Sequence, residues 1–311
     1  VTSTIEAAAQ AVRDTGGELR AGGTDVMTRA AGTPVDLLGV PGLRGTEWRP
    51  DGSARIGALT PIADLLADAR LTAAYPALAA TAAAVATPQI RNIATVGGNL
   101  LQRNRCWYLR HPGFTCHQTG GDTCPARDGN DLYSAVLDQG PCIAPHPSSL
   151  AVALLTYAAT ADVHGRSALG VADLYGDGGD PTRDHLLDAG EILQAVVMPA
   201  PVPGERAAYR RATSREMAEW PLVEAAARLT LDGDTVTSAA VAVGGVARTP
   251  LLLPEVADAL AGKPATEENL AAAADLATAR FSPPPRNAYK VTLLRTTLID
   301  TLTACLAPPA R

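Results

Sequence analysis

Four of the five cysteines, Cys106, Cys116, Cys124 and Cys142, fall in one Gly-rich polar stretch, separated by nine, seven and seventeen residues. Four thiols so close in sequence can pair as disulfides, hold a zinc ion or ligate an iron–sulfur cluster. Nothing near Val1 has a basic segment followed by an apolar run, so no secretory leader argues for an oxidising compartment. A structural zinc site usually holds two ligands on one CxxC turn, and this stretch has none. A [4Fe–4S] cluster accepts irregular spacing, because the loop folds around it. The spacing by itself leaves iron–sulfur, zinc and free thiols open. Of the five histidines, His111, His117 and His146 lie in or beside this stretch, so a mixed Cys/His ligand set is open too. Cys305 stands apart in an amphipathic C-terminal segment and reads as a packing residue.

Two Gly-Gly turns carry the second chemical signal: "LRAGGTDVM" at 19–27 and "NIATVGGNL" at 92–100. Paired glycines let a backbone approach a ligand closely and aim consecutive N–H groups at an anion. The flanking Thr, Asp and Asn add polar groups. Neither turn has the GxGxxG or GxxxxGK[ST] pattern, so neither reads as a Rossmann or P-loop site. Each alone reads as a tight strand-to-helix turn, while two in one α/β segment point towards a nucleotide diphosphate. No Ser/His/Asp or Cys/His arrangement marks a nucleophile, and no carboxylate pair has an evident acid/base role.

The elements around these residues form two blocks. A length of 311 residues with 47% hydrophobic and 19% charged residues describes a folded chain large enough for two cores. A net charge of −6 argues against a nucleic-acid surface. No run of about eighteen apolar residues is present, so no membrane span is expected. Up to the second glycine turn, helical and extended patterns alternate: a helix over 5–15, strands at 18–21 and 35–40, and an Ala-rich helix over 75–87 that Pro88 must end. "SSLAVALLTYAATADVHG" reads as a capped helix running into a strand, and "EILQAVVMPAPVPGE" as a strand ending in a Pro-rich break at 199–203. Beyond it, two strands join through Asp232-Gly233-Asp234, and helices follow over 252–262, 267–279 and 289–306.

In this order, "AGGTDV", "ATPQIRNIATVGGNLLQ", "HPSSLAVALLTYAATADV", "LLDAGEILQAVVMPAP", "REMAEWPLVEAAARL", "AVAVGGVARTP" and "NAYKV" resemble the FAD-binding subunits of molybdenum hydroxylases. That family includes the flavin domains of xanthine dehydrogenases and the medium subunits of carbon monoxide and aldehyde dehydrogenases. The resemblance implies an α+β chain. A PCMH-type FAD-binding domain of two α/β subdomains (1–203) would precede a carbon monoxide dehydrogenase flavoprotein-like C-terminal α+β domain (204–311), an antiparallel sheet with helices. It implies an FAD pyrophosphate site made of Leu19, Arg20, Ala21, Gly22, Gly23, Thr24 and Asp25 with Ala94, Thr95, Gly97, Gly98 and Asn99. Leu186 and Leu187 would pack against the flavin ring, and Trp220 would stand near it or in the core. The family's Ser-Asp pair is here Ser148-Ser149. Ser148 is kept as a contact, a carboxylate is missing, and FAD contacts are expected to be rearranged or weaker.

A minority of the family carries an insertion at this point with four cysteines on a [4Fe–4S] cluster. "GGNLLQRNRCWYLR" is especially similar to the aldehyde oxidoreductase medium subunits of that minority. The resemblance therefore assigns Cys106, Cys116, Cys124 and Cys142, in a loop at about 100–147, as cluster ligands. Arg103, Arg105 and Arg110 would offset the cluster's charge or stand as solvated loop residues. The implied role is electron transfer from a molybdenum-cofactor large subunit, through a [2Fe–2S] small subunit, to FAD and an external acceptor. A heterotrimer or its dimer is expected, with no nucleic acid and no membrane span. It would lie in the cytoplasm, or in the periplasm if a partner carries the export signal. Two other readings are a stand-alone flavoprotein oxidoreductase and a zinc-stabilised nucleotide-binding module.

Overall fold

The structure is a computed structural model and describes residues 2–29, 32–166, 168–215 and 218–307. Its first unit is small. The helix Ile5–Thr15 is capped by the Thr4 hydroxyl at one end and by Gly16, in the left-handed region, at the other. It packs Ala8, Ala9 and Val12 on β1 (Leu19–Arg20) and β2 (Val35–Asp36), which pair in parallel. Both strands are shorter than the sequence pattern predicts, because backbone pairing ends where the glycine turn and the Leu37–Val40 turn begin.

The second unit is a five-stranded sheet: β3 (Thr46–Trp48), β4 (Ala54–Gly57), β5 (Thr160–His164), β6 (Leu169–Gly170) and β7 (Ile192–Met198), in the order β3-β4-β7-β5-β6. Strands and helices alternate along the chain as the sequence pattern predicts, yet every pair in this sheet is antiparallel. The Ala-rich helix spans Pro76–Ala84 and stops before Pro88 is reached. Pro88 instead opens a separate short helix, Pro88–Arg91, at the first-turn position where its missing N–H costs nothing.

The third unit is a four-stranded antiparallel sheet in the order β11-β10-β9-β8: β8 (Arg206–Ala212), β9 (Val223–Asp232), β10 (Thr235–Gly244) and β11 (Leu251–Leu252). The period-two alternation of β9 splits its residues between two cores. Val223, Ala225, Ala227 and Leu229 pack with the helices Pro254–Leu260, Glu267–Thr278 and Tyr289–Leu306. Ala226 joins the core of the second unit, together with the helix Ser149–Thr156, whose residues are all buried. The sheet is thus covered on both faces, and the stretch 101–148 runs between the two units that share it.

Candidate functional site

The first glycine turn follows β1 directly. A Cβ on Gly22 would lie 1.9 Å from the Ile93 carbonyl oxygen, so the turn is pressed against the segment that leads into the second glycine turn. Gly23 is in the left-handed region, at φ 76°. No described residue accepts a hydrogen bond from the N–H groups of Gly22, Gly23 or Thr24. Three consecutive free donors on a left-handed turn suit a pyrophosphate. Leu19 packs in the first core, and Arg20 is paired with Asp36 on β2.

The second turn is used differently. Thr95 caps the helix Val96–Leu100 by accepting from the Gly98 N–H, the Gly97 N–H goes to the Ala58 carbonyl, and the Asn99 N–H goes to the Thr95 carbonyl. A Cβ on Gly97 would come within 2.9 Å of Ala58 Cβ. These glycines permit close packing; their N–H groups are spent inside the fold. Ala94 supports the turn by accepting from the Ile62 N–H. Asn99 Oδ1 receives the Ser148 hydroxyl at 2.8 Å, which joins this turn to the N-cap of the helix Ser149–Thr156. Leu187 is buried in the core of the second unit, while Leu186 is half-buried and packs on Gly176.

Asp25 faces the cysteine stretch. Its carboxylate takes Arg110 at 2.8 Å, Arg105 at 3.0 Å and the Arg103 N–H at 3.0 Å. Burial works to raise this carboxyl, but Arg105 and Arg110 outweigh it and hold the group below the usual carboxylate range. Arg103 Nε in turn binds Asp184 at 3.0 Å. The three arginines are therefore engaged with a half-buried and a buried acid. Arg105 also lies over the Trp220 ring, 4.2 Å from its centre, which places Trp220 on the surface beside the loop and outside the core. Burial lowers the Arg105 guanidinium to about 10. Its Nε and that of Arg248 are buried without a hydrogen-bond partner among the described residues, so the region holds unspent cationic donors that suit anionic groups.

Cys106, Cys116, Cys124 and Cys142 all line a single cavity, together with Asn104, Tyr108, His117 and Gln118. The neighbouring Cys124 and Cys142 thiols act on each other, which lowers Cys124 and raises Cys142. Burial raises the Cys106 thiol. Among the described residues no three Cys, His, Asp or Glu side chains stand close enough to hold one metal ion. Cys305 lies buried on the last helix, with its sulfur 3.5 Å from the Ala227 carbonyl oxygen.

Beside Ser149, Glu224 on β9 is 1% exposed and takes the Tyr209 hydroxyl. Burial raises it above its ordinary value. The folded chain thus keeps a proton that an unfolded glutamate releases near about 4.3. Stability from this group is complete below that pH and is lost as pH rises through the raised folded value. Glu224→Gln is expected to remove that decline, read as the denaturant midpoint of both proteins against pH. Superimposable profiles would show that the group does not titrate between the two states.

Residues 1–201 match the model of the FAD binding domain in molybdopterin dehydrogenase. The chain is an FAD-binding medium subunit of the molybdenum hydroxylase family. Residues 207–305 of this medium subunit match the carbon monoxide dehydrogenase flavoprotein C-terminal domain. It is 35% identical over 314 aligned positions to the aldehyde oxidoreductase FAD-binding subunit PaoB of Escherichia coli K12, covering 97% of this chain and 95% of PaoB. It is 29% identical to the carbon monoxide dehydrogenase medium chain of Hydrogenophaga pseudoflava, over 80% of this chain and 71% of that one. A solved carbon monoxide dehydrogenase from that organism superimposes with a TM-score of 0.77 at 22% identity, covering 98% of this chain and 95% of the other. Quinoline 2-oxidoreductase from Pseudomonas putida 86 gives 0.75 at 21%, with coverage of 98% and 95%, and both share the medium subunit's fold. The relatives are subunits of oxidoreductases. No described helix of this one is long and apolar enough to cross a membrane.

Sequence reasoning did not single out Asp184, Arg248 or Glu224. Arg248 stands in "GGVARTP" and Glu224 in "WPLVEAAARL", two of the strings that carry the family resemblance. Asp184 lies two residues before the Leu186-Leu187 pair. An acid or arginine inside an apolar strand or beside an apolar pair is the signal that could have found them.

Proposed function

We propose that this subunit carries both FAD and a [4Fe–4S] cluster, and passes electrons from a molybdenum-containing partner to an external acceptor. The observation that carries the cluster reading is the convergence of the four cysteines on one cavity. A cluster takes four cysteine thiolates around a cube of iron and sulfide, and accepts irregular spacing along the chain. Flavin and cluster together supply the electron transfer; the protein binds them, orients them and tunes their potentials.

The chain's own residues divide this work. Gly22, Gly23 and Thr24 present the free N–H groups for the pyrophosphate, with Ala21 beside them. Thr95, Gly97, Gly98 and Asn99 let the second segment close on the first, and Ser148 locks Asn99. Asp25 and its arginines tie the pyrophosphate turn to the residues just before Cys106, so the two cofactor sites share one wall. Leu186 presents an apolar surface for the flavin ring. The partners would be a molybdenum-cofactor large subunit and a [2Fe–2S] small subunit.

The test is an ultraviolet–visible spectrum of the anaerobically purified chain, with flavin, iron and zinc measured on the same sample. About one FAD and four irons per chain, with flavin bands over a broad shoulder, are expected. Flavin with zinc or without iron would overturn the cluster assignment. A colourless chain that takes up no FAD would overturn the whole reading.

A further inference from the structure

We propose that the buried ion pair Asp184–Arg248 is the positioning pair of the cysteine site, fixing the backbone beside three of the four cysteines from outside the loop. The inference rests on the cluster reading above. The two side chains are 1% and 2% exposed and meet at 3.1 Å. Besides Arg248, the Asp184 carboxylate accepts from Arg103 Nε at 3.0 Å, from the Asn104 N–H at 3.1 Å and side-chain Nδ2 at 3.0 Å, and from Gln118 Nε2 at 2.9 Å.

Three of these contacts, through Asn104, Gln118 and Arg248, reach a cysteine or the backbone two residues from one. Asn104 uses its Oδ1 to hold the Cys106 N–H at 3.0 Å. Gln118 follows Cys116 by two residues, and both Asn104 and Gln118 line the cysteine cavity. Arg248 donates to the Ala144 carbonyl at 3.4 Å, two residues after Cys142. It also holds the Arg183 and Asp180 carbonyls, at 2.6 and 3.3 Å, which steadies the segment carrying Asp184 itself. Only Cys124 is held otherwise, through Arg127, which spans to the Pro141 carbonyl at 2.9 Å.

Stability alone gives no reason for charge here, since a buried ion pair replaced by apolar groups of similar volume is often no worse. What the pair supplies is many directed bonds from one point. A carboxylate has about four acceptor directions, and these are full, so Asp184 does not act as a proton carrier. Its role is to orient groups that orient ligands, as outer-shell partners do in metal sites. It also sets a fixed negative charge beside the cavity and two residues from Leu186.

Either single change strands a buried charge and threatens the fold. The deciding protein is therefore the full chain with Asp184→Asn and Arg248→Met together, purified anaerobically beside the wild type. Melting temperature, flavin per chain, the rate of iron release to a chelator and the midpoint potential of the cluster are all measured. The double variant is expected to stay folded and hold flavin, to release iron roughly 10–100-fold faster, and to show a shifted cluster potential. Wild-type iron retention and potential in the double variant would overturn the proposal. Loss of flavin, iron and fold together would overturn it as well, in favour of a general scaffold role. A wild-type chain that takes up no iron would instead bring down the cluster reading, and the proposal with it.

Discussion

Gly22→Ala is expected to yield a chain with little bound FAD and a clearly lowered melting temperature. The added methyl would sit 1.9 Å from the Ile93 carbonyl oxygen and 2.7 Å from its carbon. Both obstacles are backbone, so no rotamer change relieves them. The two glycine segments would have to part, which takes the free N–H groups of Gly22, Gly23 and Thr24 away from the wall that closes the site. Overpacking of this kind costs about 1–3 kcal/mol or more. For units of this size that is roughly 2–4 °C per kcal/mol. Gly97→Ala is the companion: its methyl would meet the Ala58 side chain at 2.9 Å and the Ala58 carbonyl oxygen at 3.1 Å. A smaller loss of flavin is expected there, because a side chain is the nearest obstacle. Flavin absorbance per chain and a melting curve read both. Full flavin and an unchanged melting temperature in Gly22→Ala would show that the first turn does not grip the cofactor through this contact.

The contrast between the two turns explains what was legible in the sequence. Both read as Gly-Gly turns with polar neighbours, and both proved to be tight turns at the joint of two units. Which of them has N–H groups to spare depends on partners far away in the chain, such as Ala58 for Gly97, and no local pattern encodes that. The long helices and the β9–β10 hairpin were legible because their periods and their Asp-Gly turn are local. β8, "RAAYRRA", was not: its arginines hide the alternation, although they lie where the strand meets solvent or neighbouring backbone. Pro88 was misread in a specific way, as a stop, when it starts the next short helix. The four cysteines announced a site, while the Asp184 that organises the residues beside them gave no sign, because its five bonds come from three separate stretches of chain.

Lys290→Met is expected to be the most destabilising side-chain change in the C-terminal unit, and to loosen the cysteine stretch from its far end. Lys290 is 1% exposed and has no carboxylate. Its Nζ donates instead to three carbonyls, those of Tyr133 and Ser134 at 3.0 Å and of Gly245 at 2.9 Å. An ammonium has three N–H bonds and all are used here. Burial pulls the group down to about 7. One turn earlier, Asn287 donates to the Ser134 carbonyl and hydroxyl and to the Ala135 carbonyl. The helix Tyr289–Leu306 and the residue positions leading into it thus clamp the stretch 133–135, which runs on towards Cys142. Methionine fills the volume but leaves three carbonyls without their donor, at about 1–3 kcal/mol for each that finds no other. Asn287→Ala, which frees one carbonyl fewer and no charge, is expected to cost less. Because the clamp acts on one segment, limited proteolysis of Lys290→Met should cut first within 129–137, before the rest of the chain opens. Iron should leave with that cut while flavin stays, since the glycine turns are held by other contacts. A first cut elsewhere, or simultaneous loss of both cofactors, would mean that Lys290 supports the whole C-terminal unit and not this segment in particular.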